Sequence, residues 1–172
     1  MINAGGLVLK RWDPAWADEV TAAIRESLPQ LKPFLPWAHD EYGGADSSGF
    51  IQRSMDNWAN GTEFNYAIFT TTGELVGAVG LMTRMGPGVL EIGYWTRTPY
   101  AGRGYMTAAV DALTRVALTL PGIERVTIQY DVANAASAAV AVKAGFVEVD
   151  RVNGNREAAG ESGTRVVRER RA

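Results

Sequence analysis

Two short stretches hold the residues whose types and spacing could do chemistry. In the first, Glu91-Ile92-Gly93-Tyr94-Trp95-Thr96 reads as the end of a strand, and Ala101-Gly102-Arg103-Gly104-Tyr105-Met106 as a glycine turn that opens a helix. Such a turn leaves backbone N–H groups free at the helix start, where the helix dipole also favours an anion. That makes a diphosphate cradle. Gly-x-Gly is also ordinary turn punctuation, and here no Gly-Lys-Ser/Thr follows and the third glycine of a dinucleotide fingerprint is missing. In the second stretch Asn134 ends a strand and Ser137 opens a short helix that Gly145 closes. Asn134 or Ser137 would serve equally as a plain helix cap.

The elements that must hold these residues are legible in the hydrophobic pattern. Leu7 to Trp12 alternates as a first strand, and Asp13-Pro14 supplies an N-cap with proline at the first helical position of a helix to Ser27. Leu31 to Trp37, with two prolines, predicts a turn or loop, and Asp46 is placed to cap a helix that ends at Asn60-Gly61. Phe64 to Thr70, Leu75 to Met82 and Val89 to Thr96 are joined by glycine-containing turns and predict an antiparallel meander. Next come a helix from Gly104 to Leu120, a strand from Arg125 to Val132, a helix from Ser137 to Ala144 and a strand from Phe146 to Val152. A strand, helix, strand unit of this kind makes its two strands parallel. Asn153 to Gly163 reads as a mobile hairpin before a last strand at Thr164 to Arg168.

Composition removes several classes of function. At 172 residues, 47% hydrophobic and 21% charged, the chain suits one domain over residues 1–172. With 17 basic and 19 acidic residues, the net charge of -2 offers no field to attract nucleic acid. The lack of cysteine excludes disulfides and thiolate chemistry, and the one histidine, His39, removes histidine-rich metal sites, so no metal is expected. No apolar run approaches the ~18 residues of a membrane span and no leader pattern opens the chain, which points to a cytoplasmic protein without a membrane partner.

Taken together, Gly-Tyr-Trp before the turn, Gly-Arg-Gly-Tyr-x-Thr, Asn-x-x-Ser and Lys-x-Gly-Phe resemble the GNAT superfamily of acyl-CoA-dependent N-acetyltransferases. The same four motifs look like its branch of ribosomal-protein N-terminal acetyltransferases (RimJ/RimL-like), to which the early Leu35-Pro36-Trp37 is similar too. The resemblance implies an α+β fold with a mixed, mostly antiparallel sheet of about seven strands flanked by helices. It implies acetyl-CoA as acyl donor and a primary amine as acceptor, on a small molecule, peptide or protein N-terminus; a homodimer is left open. Ala101 to Met106, Arg103 included, would hold the coenzyme A diphosphate through backbone N–H groups. Tyr94, Trp95 and Thr96 would splay from the next strand to admit pantetheine, with Asn134 bonded to that arm and Lys143 also at the cofactor. The chain departs from the family pattern at Ala101, Met106 and Ala108. It departs again at Ala141, where many members carry a tyrosine that protonates the leaving thiolate.

Attack on a thioester needs a neutral amine, a place for the oxyanion and support for the departing thiolate. Glu91, on the strand leading to the turn, is the first candidate base, because burial raises a carboxylate's affinity for a proton. It would equally suit a solvated outward face, and His39 in a surface loop is the rival. Ser137 substitutes for the missing tyrosine. A backbone N–H near Tyr94 or Trp95 would meet the oxyanion. Phe34, Trp37, Tyr42 and Trp58 could line an acceptor pocket or belong to the core. Arg84 or Arg97 could supply the cation that a succinyl donor needs, and a coenzyme A binding module without turnover is the reading from a different class.

Overall fold

The computed structural model describes Met1–Ala172. Its eight strands form one sheet in the order β1-β2-β3-β4-β5-β6-β8-β7. In chain order these are β1 (Ile2–Ala4), β2 (Leu7–Arg11), β3 (Glu63–Thr70), β4 (Leu75–Met82), β5 (Val89–Thr96), β6 (Arg125–Asp131), β7 (Val147–Asn153) and β8 (Thr164–Arg171). Four α-helices accompany them: α1 (Ala17–Leu31), α2 (Gly44–Asn60), α3 (Tyr105–Leu118) and α4 (Ala135–Lys143). Every neighbouring pair is antiparallel except β5 and β6, which α3 connects across the sheet face. No helix is long and apolar enough to cross a membrane.

The sheet has eight strands where the pattern predicted about seven. The extra one, β1, has three residues, too few to show alternation, and folds back on β2 through Gly5 and Gly6, both at positive φ. A second difference is at α1, expected to end at Ser27 but continuing through Pro29 to Leu31. Leu31 is itself buried, so packing outweighs the missing proline N–H in the last turn. A third is the start of α2. Asp46 does not occupy the N-cap; it sits three residues on and accepts from the Gly43 N–H at 2.9 Å.

Two cores cover the two faces of the sheet. Leu90, Ile92 and Tyr94 of β5 face α3, whose Met106, Ala109, Val110, Leu113 and Ala117 recur at helical spacing and are buried. Trp95 faces the other way, into the core of α1 and α2 with Val20, Ile24 and Ile51. Strand alternation therefore puts Glu91 on the Trp95 side. This division decides which side chains can meet at a site between β5 and β6.

The segment from Asn153 to Gly163, read from sequence as a mobile hairpin, is tied down at two points. The Asp131 carboxylate accepts from the Ser162, Gly163 and Ala133 N–H groups and the Ser162 hydroxyl at 2.9–3.0 Å. The Gly160 N–H reaches the Pro33 carbonyl at 2.8 Å, and a Cβ at Gly160 would meet Pro33 at 2.6 Å. Desolvation alone would raise the Asp131 pKa, but the hydrogen bonds to Ser162, Ala133 and Gly163 outweigh it and bring it down to about 2. A depressed carboxylate pKa contributes stability that is complete above the unfolded value, near 3.8, and is lost as pH falls through about 2. Limited proteolysis at pH 7 should cut this segment of Asp131→Asn faster than in the parent chain. Unchanged cleavage would show that Asp131 does not hold it.

Candidate active site

Strands β5 and β6 pair only where they begin, at Val89 with Arg125, Leu90 with Val126 and Glu91 with Thr127. Beyond Glu91, β5 stays with β4 out to Gly77 opposite Thr96, while β6 follows β8 to Asp131 opposite Arg165. The two strands therefore splay. Their unshared edges leave backbone groups that an extended ligand can pair with, as an added strand would.

Into the same opening points the head of α3. Gly102 and Gly104 hold positive φ of 71° and 77°, which turns the chain so that α3 starts at Tyr105. Thr98 to Tyr100 form a short 3-10 turn before it. From Gly102 through Thr107, no backbone N–H has a hydrogen-bond partner in the fold; the first bonded one is Ala108, to the Gly104 carbonyl at 3.0 Å. A row of free donors at a helix N-terminus has the geometry to receive an anion.

Cradle and splay open on one cavity of about 260 Å³, lined by residues from α1, β5, α3 and α4. Of the residues singled out in sequence, Tyr94, Trp95, Thr96, Ala101, Gly102, Gly104, Tyr105, Met106, Asn134, Ser137 and Lys143 line it together. Arg103 does not; its guanidinium lies 5.8 Å from the centre of the Tyr100 ring. Asn134 accepts from the Ser137 N–H at 3.1 Å, so the cap and the cavity wall are the same residue. Lys143, in the last turn of α4, brings the cavity's one cationic side chain.

Sequence reasoning missed Gln30 and Leu31, which line the cavity because α1 runs on past Pro29. Thr107, Ala136, Ala139 and Val140 were also missed, although three- and four-residue steps back along α4 from Lys143 and on from Gly104 could have found them.

The candidate acceptor residues divide. Phe34 lines this cavity. Trp37, 41% exposed, packs edge-on against Trp95 at 6.3 Å outside it. Tyr42 belongs to the core instead: it is buried, with its hydroxyl bonded to Ser47 at 3.1 Å. Trp58 lies on α2 against Phe64 and Tyr66 under the Arg11 guanidinium, away from the cavity. His39 faces Asp46 at 3.5 Å and does not line the cavity either.

Glu91 is not on this wall. Its side chain is 7% exposed, and Arg84 grips both carboxylate oxygens at 2.6 and 2.8 Å. Both oxygens are held by one guanidinium, and the carboxylate does not line the cavity. The sequence reading of Glu91 as the proton acceptor expects it at the cavity, whereas the structure puts it in an ion pair with Arg84 off the cavity wall. Arg84, spent on Glu91, and Arg97, bonded to Glu26 at 2.6 Å, also stand outside the cavity, so neither offers the cation for a succinyl group.

The cavity instead contains a hydroxyl pair. Tyr94 Oη lies 2.8 Å from Ser137 Oγ and 3.1 Å from the Ser137 carbonyl. Burial raises the Tyr94 pKa to about 12, with the side-chain hydrogen bond to Ser137 acting the other way, so the phenol stays protonated. Ala141, where the family pattern often has its tyrosine, is fully buried among core residues.

The family model for the acetyltransferase (GNAT) domain matches residues 7–147. The chain belongs to the GNAT acetyltransferase family, and it is an acetyl-CoA-dependent N-acetyltransferase by class. Comparison of the sequence with curated proteins gives no match. Among solved structures, it is similar to the microcin C7 self-immunity acetyltransferase MccE in complex with acetyl-CoA and AMP, at 21% identity and a TM-score of 0.90 over 97% of this chain and 93% of that one. It is similar too to RimL, a ribosomal L7/L12 α-N-protein acetyltransferase in complex with coenzyme A, at 21% identity and a TM-score of 0.89 over 99% and 97%. The ribosomal-protein-S5-alanine acetyltransferase from Vibrio fischeri matches at 15% identity and a TM-score of 0.83 over 98% and 94%. The mostly antiparallel sheet with a parallel splay is thus the fold these proteins share.

Proposed function

We propose that this protein, as one cytoplasmic domain, transfers the acetyl group of acetyl-CoA to the N-terminal α-amine of a protein or peptide by direct attack on the thioester. The observation that carries this reading is the row of unpaired N–H groups from Gly102 to Thr107 opening on the same cavity as the β5–β6 splay. The diphosphate fits the row, pantetheine fits the splay beside Asn134, and the thioester then comes to Ser137. The Ser137 hydroxyl supports the departing thiolate, and a backbone N–H of β5 near Trp95 meets the oxyanion. RimL and the S5-alanine enzyme, both named for ribosomal-protein targets, support a protein N-terminus as acceptor.

The absence of Asp, Glu and His from the cavity wall favours the same class of acceptor. An α-amine has a pKa of about 7.7–8.0, so about a tenth of it is neutral at pH 7, whereas a lysine side chain near 10.4 is almost wholly charged. An acceptor that arrives deprotonated needs no dedicated base. With a peptide acceptor, kcat/KM for the peptide should rise with pH and level off near about 8, the value of the acceptor's own amine. A lysine side chain in a peptide with a blocked N-terminus should be acetylated at least about 100-fold more slowly at pH 7. Equal rates for the two amines would refute the α-amine assignment.

Glu91 then serves as the buried anchor of Arg84. Glu91→Gln should lower stability by about 1–3 kcal/mol in denaturant unfolding, since it weakens a charged two-point hydrogen bond. It should leave the inflection of the pH profile in place. Loss of that inflection in Glu91→Gln would restore the carboxylate as base.

A further inference from the structure

We infer that Tyr94 is a positioning residue for the leaving-group step, donating its phenol hydrogen to Ser137 Oγ so that the Ser137 hydrogen is directed at the coenzyme A sulfur. This rests on the reading of Ser137 as the group that meets the thiolate. Three observations lead to it. Tyr94 comes from β5 and Ser137 from α4, on opposite sides of the splay, yet their hydroxyls lie 2.8 Å apart at the cavity wall. The phenol has one hydrogen and two acceptors on Ser137, the hydroxyl at 2.8 Å and the carbonyl at 3.1 Å. The carbonyl can also receive the phenol hydrogen, but the hydroxyl lies 0.3 Å nearer, at 2.8 Å against 3.1 Å. The nearer hydroxyl therefore takes the phenol hydrogen.

A serine hydroxyl has one hydrogen and can accept as well as donate. With Tyr94 donating, the only hydrogen left to Ser137 is free to turn into the cavity.

In the step itself, the amine nitrogen attacks the thioester carbon, the N–C bond forms and the C–S bond breaks. The electron pair goes to sulfur. Ser137 Oγ–H donates a hydrogen bond to the developing thiolate, Tyr94 Oη–H donates to Ser137 Oγ, and the two donors polarise each other in one direction. The proton that nitrogen sheds balances the one that coenzyme A gains as the free thiol. Tyr94 keeps its own proton throughout.

The test is a double-mutant cycle on the full chain, with kcat and acetyl-CoA affinity both measured. Ser137→Ala should lower kcat by about 30-fold and Tyr94→Phe by about tenfold, each with the Kd for acetyl-CoA within about twofold of the parent. Tyr94→Phe keeps the packed ring, so its melting temperature should be close to the parent's. In the Ser137→Ala background, Tyr94→Phe should have no further effect on kcat. Replacing Tyr94 with 3-fluorotyrosine, which restores the hydroxyl, should restore the rate. Multiplying effects in the double variant, a Tyr94→Phe enzyme with unchanged kcat, or no restoration by fluorotyrosine would overturn the role of Tyr94 while Ser137 keeps its own. An unchanged kcat in Ser137→Ala would remove the reading of Ser137 and the inference with it.

Discussion

Gly104→Val should weaken acetyl-CoA binding by more than about 100-fold while leaving the fold in place. Gly104 sits at φ 77°, ψ 0° as the residue before α3, and a Cβ there would touch nothing within 4 Å. No collision unfolds the chain. The cost comes from the backbone, because a β-branched residue in the left-handed region loses roughly 1–2 kcal/mol and relaxes by turning its peptide. That rotation re-aims the N–H groups that receive the diphosphate in the proposed function, and each charge-assisted hydrogen bond is worth about 1.5–3 kcal/mol. Two such losses already exceed the roughly 2.7 kcal/mol that corresponds to 100-fold in affinity. Titration calorimetry with coenzyme A checks the affinity, and circular dichroism checks the fold. Binding within tenfold of the parent would mean that the cofactor does not use the turn.

Gly77→Val should have the largest effect on stability, for the opposite reason. Gly77 lies opposite Thr96 in the β4–β5 ladder, and a Cβ there would collide with the Trp95 carbonyl and come 3.1 Å from the Thr96 Cα. Both obstacles are backbone and cannot swing aside. We expect a loss of about 3 kcal/mol and a melting temperature lower by roughly 6–12 °C. The end of β5 must also shift, carrying Trp95 and Thr96 off the cavity wall, so turnover should fall in the protein that remains folded. Gly104→Val and Gly77→Val thus separate the two uses of glycine near the site. One glycine shapes a turn for a ligand, and the other lets two strands approach closely enough to aim β5.

The parts of this site that were legible in sequence are those written in local spacing. Gly102 and Gly104 declare the turn, Asn134 and Ser137 declare the helix start, and the period-two runs from Phe64 to Thr96 declare the meander. Each depends on residues within a few positions of one another. The α3 crossover followed from alternation of elements, and with it the parallel β5–β6 pair.

What sequence did not carry depends on contacts between distant segments. Nothing local to Glu91 says that Arg84 will hold both its oxygens, although the hairpin register, Met82 opposite Glu91, puts a cation two residues beyond the pair. Tyr42, a candidate for the acceptor pocket or the core, is buried in the core, where its hydroxyl accepts from Ser47 and Ser47 in turn accepts from Thr21. The tie between Gly160 and Pro33 joins two glycine- and proline-rich stretches that have no periodicity to relate them. Tyr94 lines the cavity with the other residues singled out in sequence, but its reach to Ser137 across the splay needs the sheet and α4 in position at once.

The most direct measurement is thiol release from acetyl-CoA in the presence of peptides with free and blocked N-termini, with the peptides analysed by mass spectrometry. The expected result is stoichiometric release of coenzyme A thiol and a single acetyl group on the free α-amine. Coenzyme A binding without acetylation of any peptide or amine would contradict the proposed activity and leave a binding module in its place.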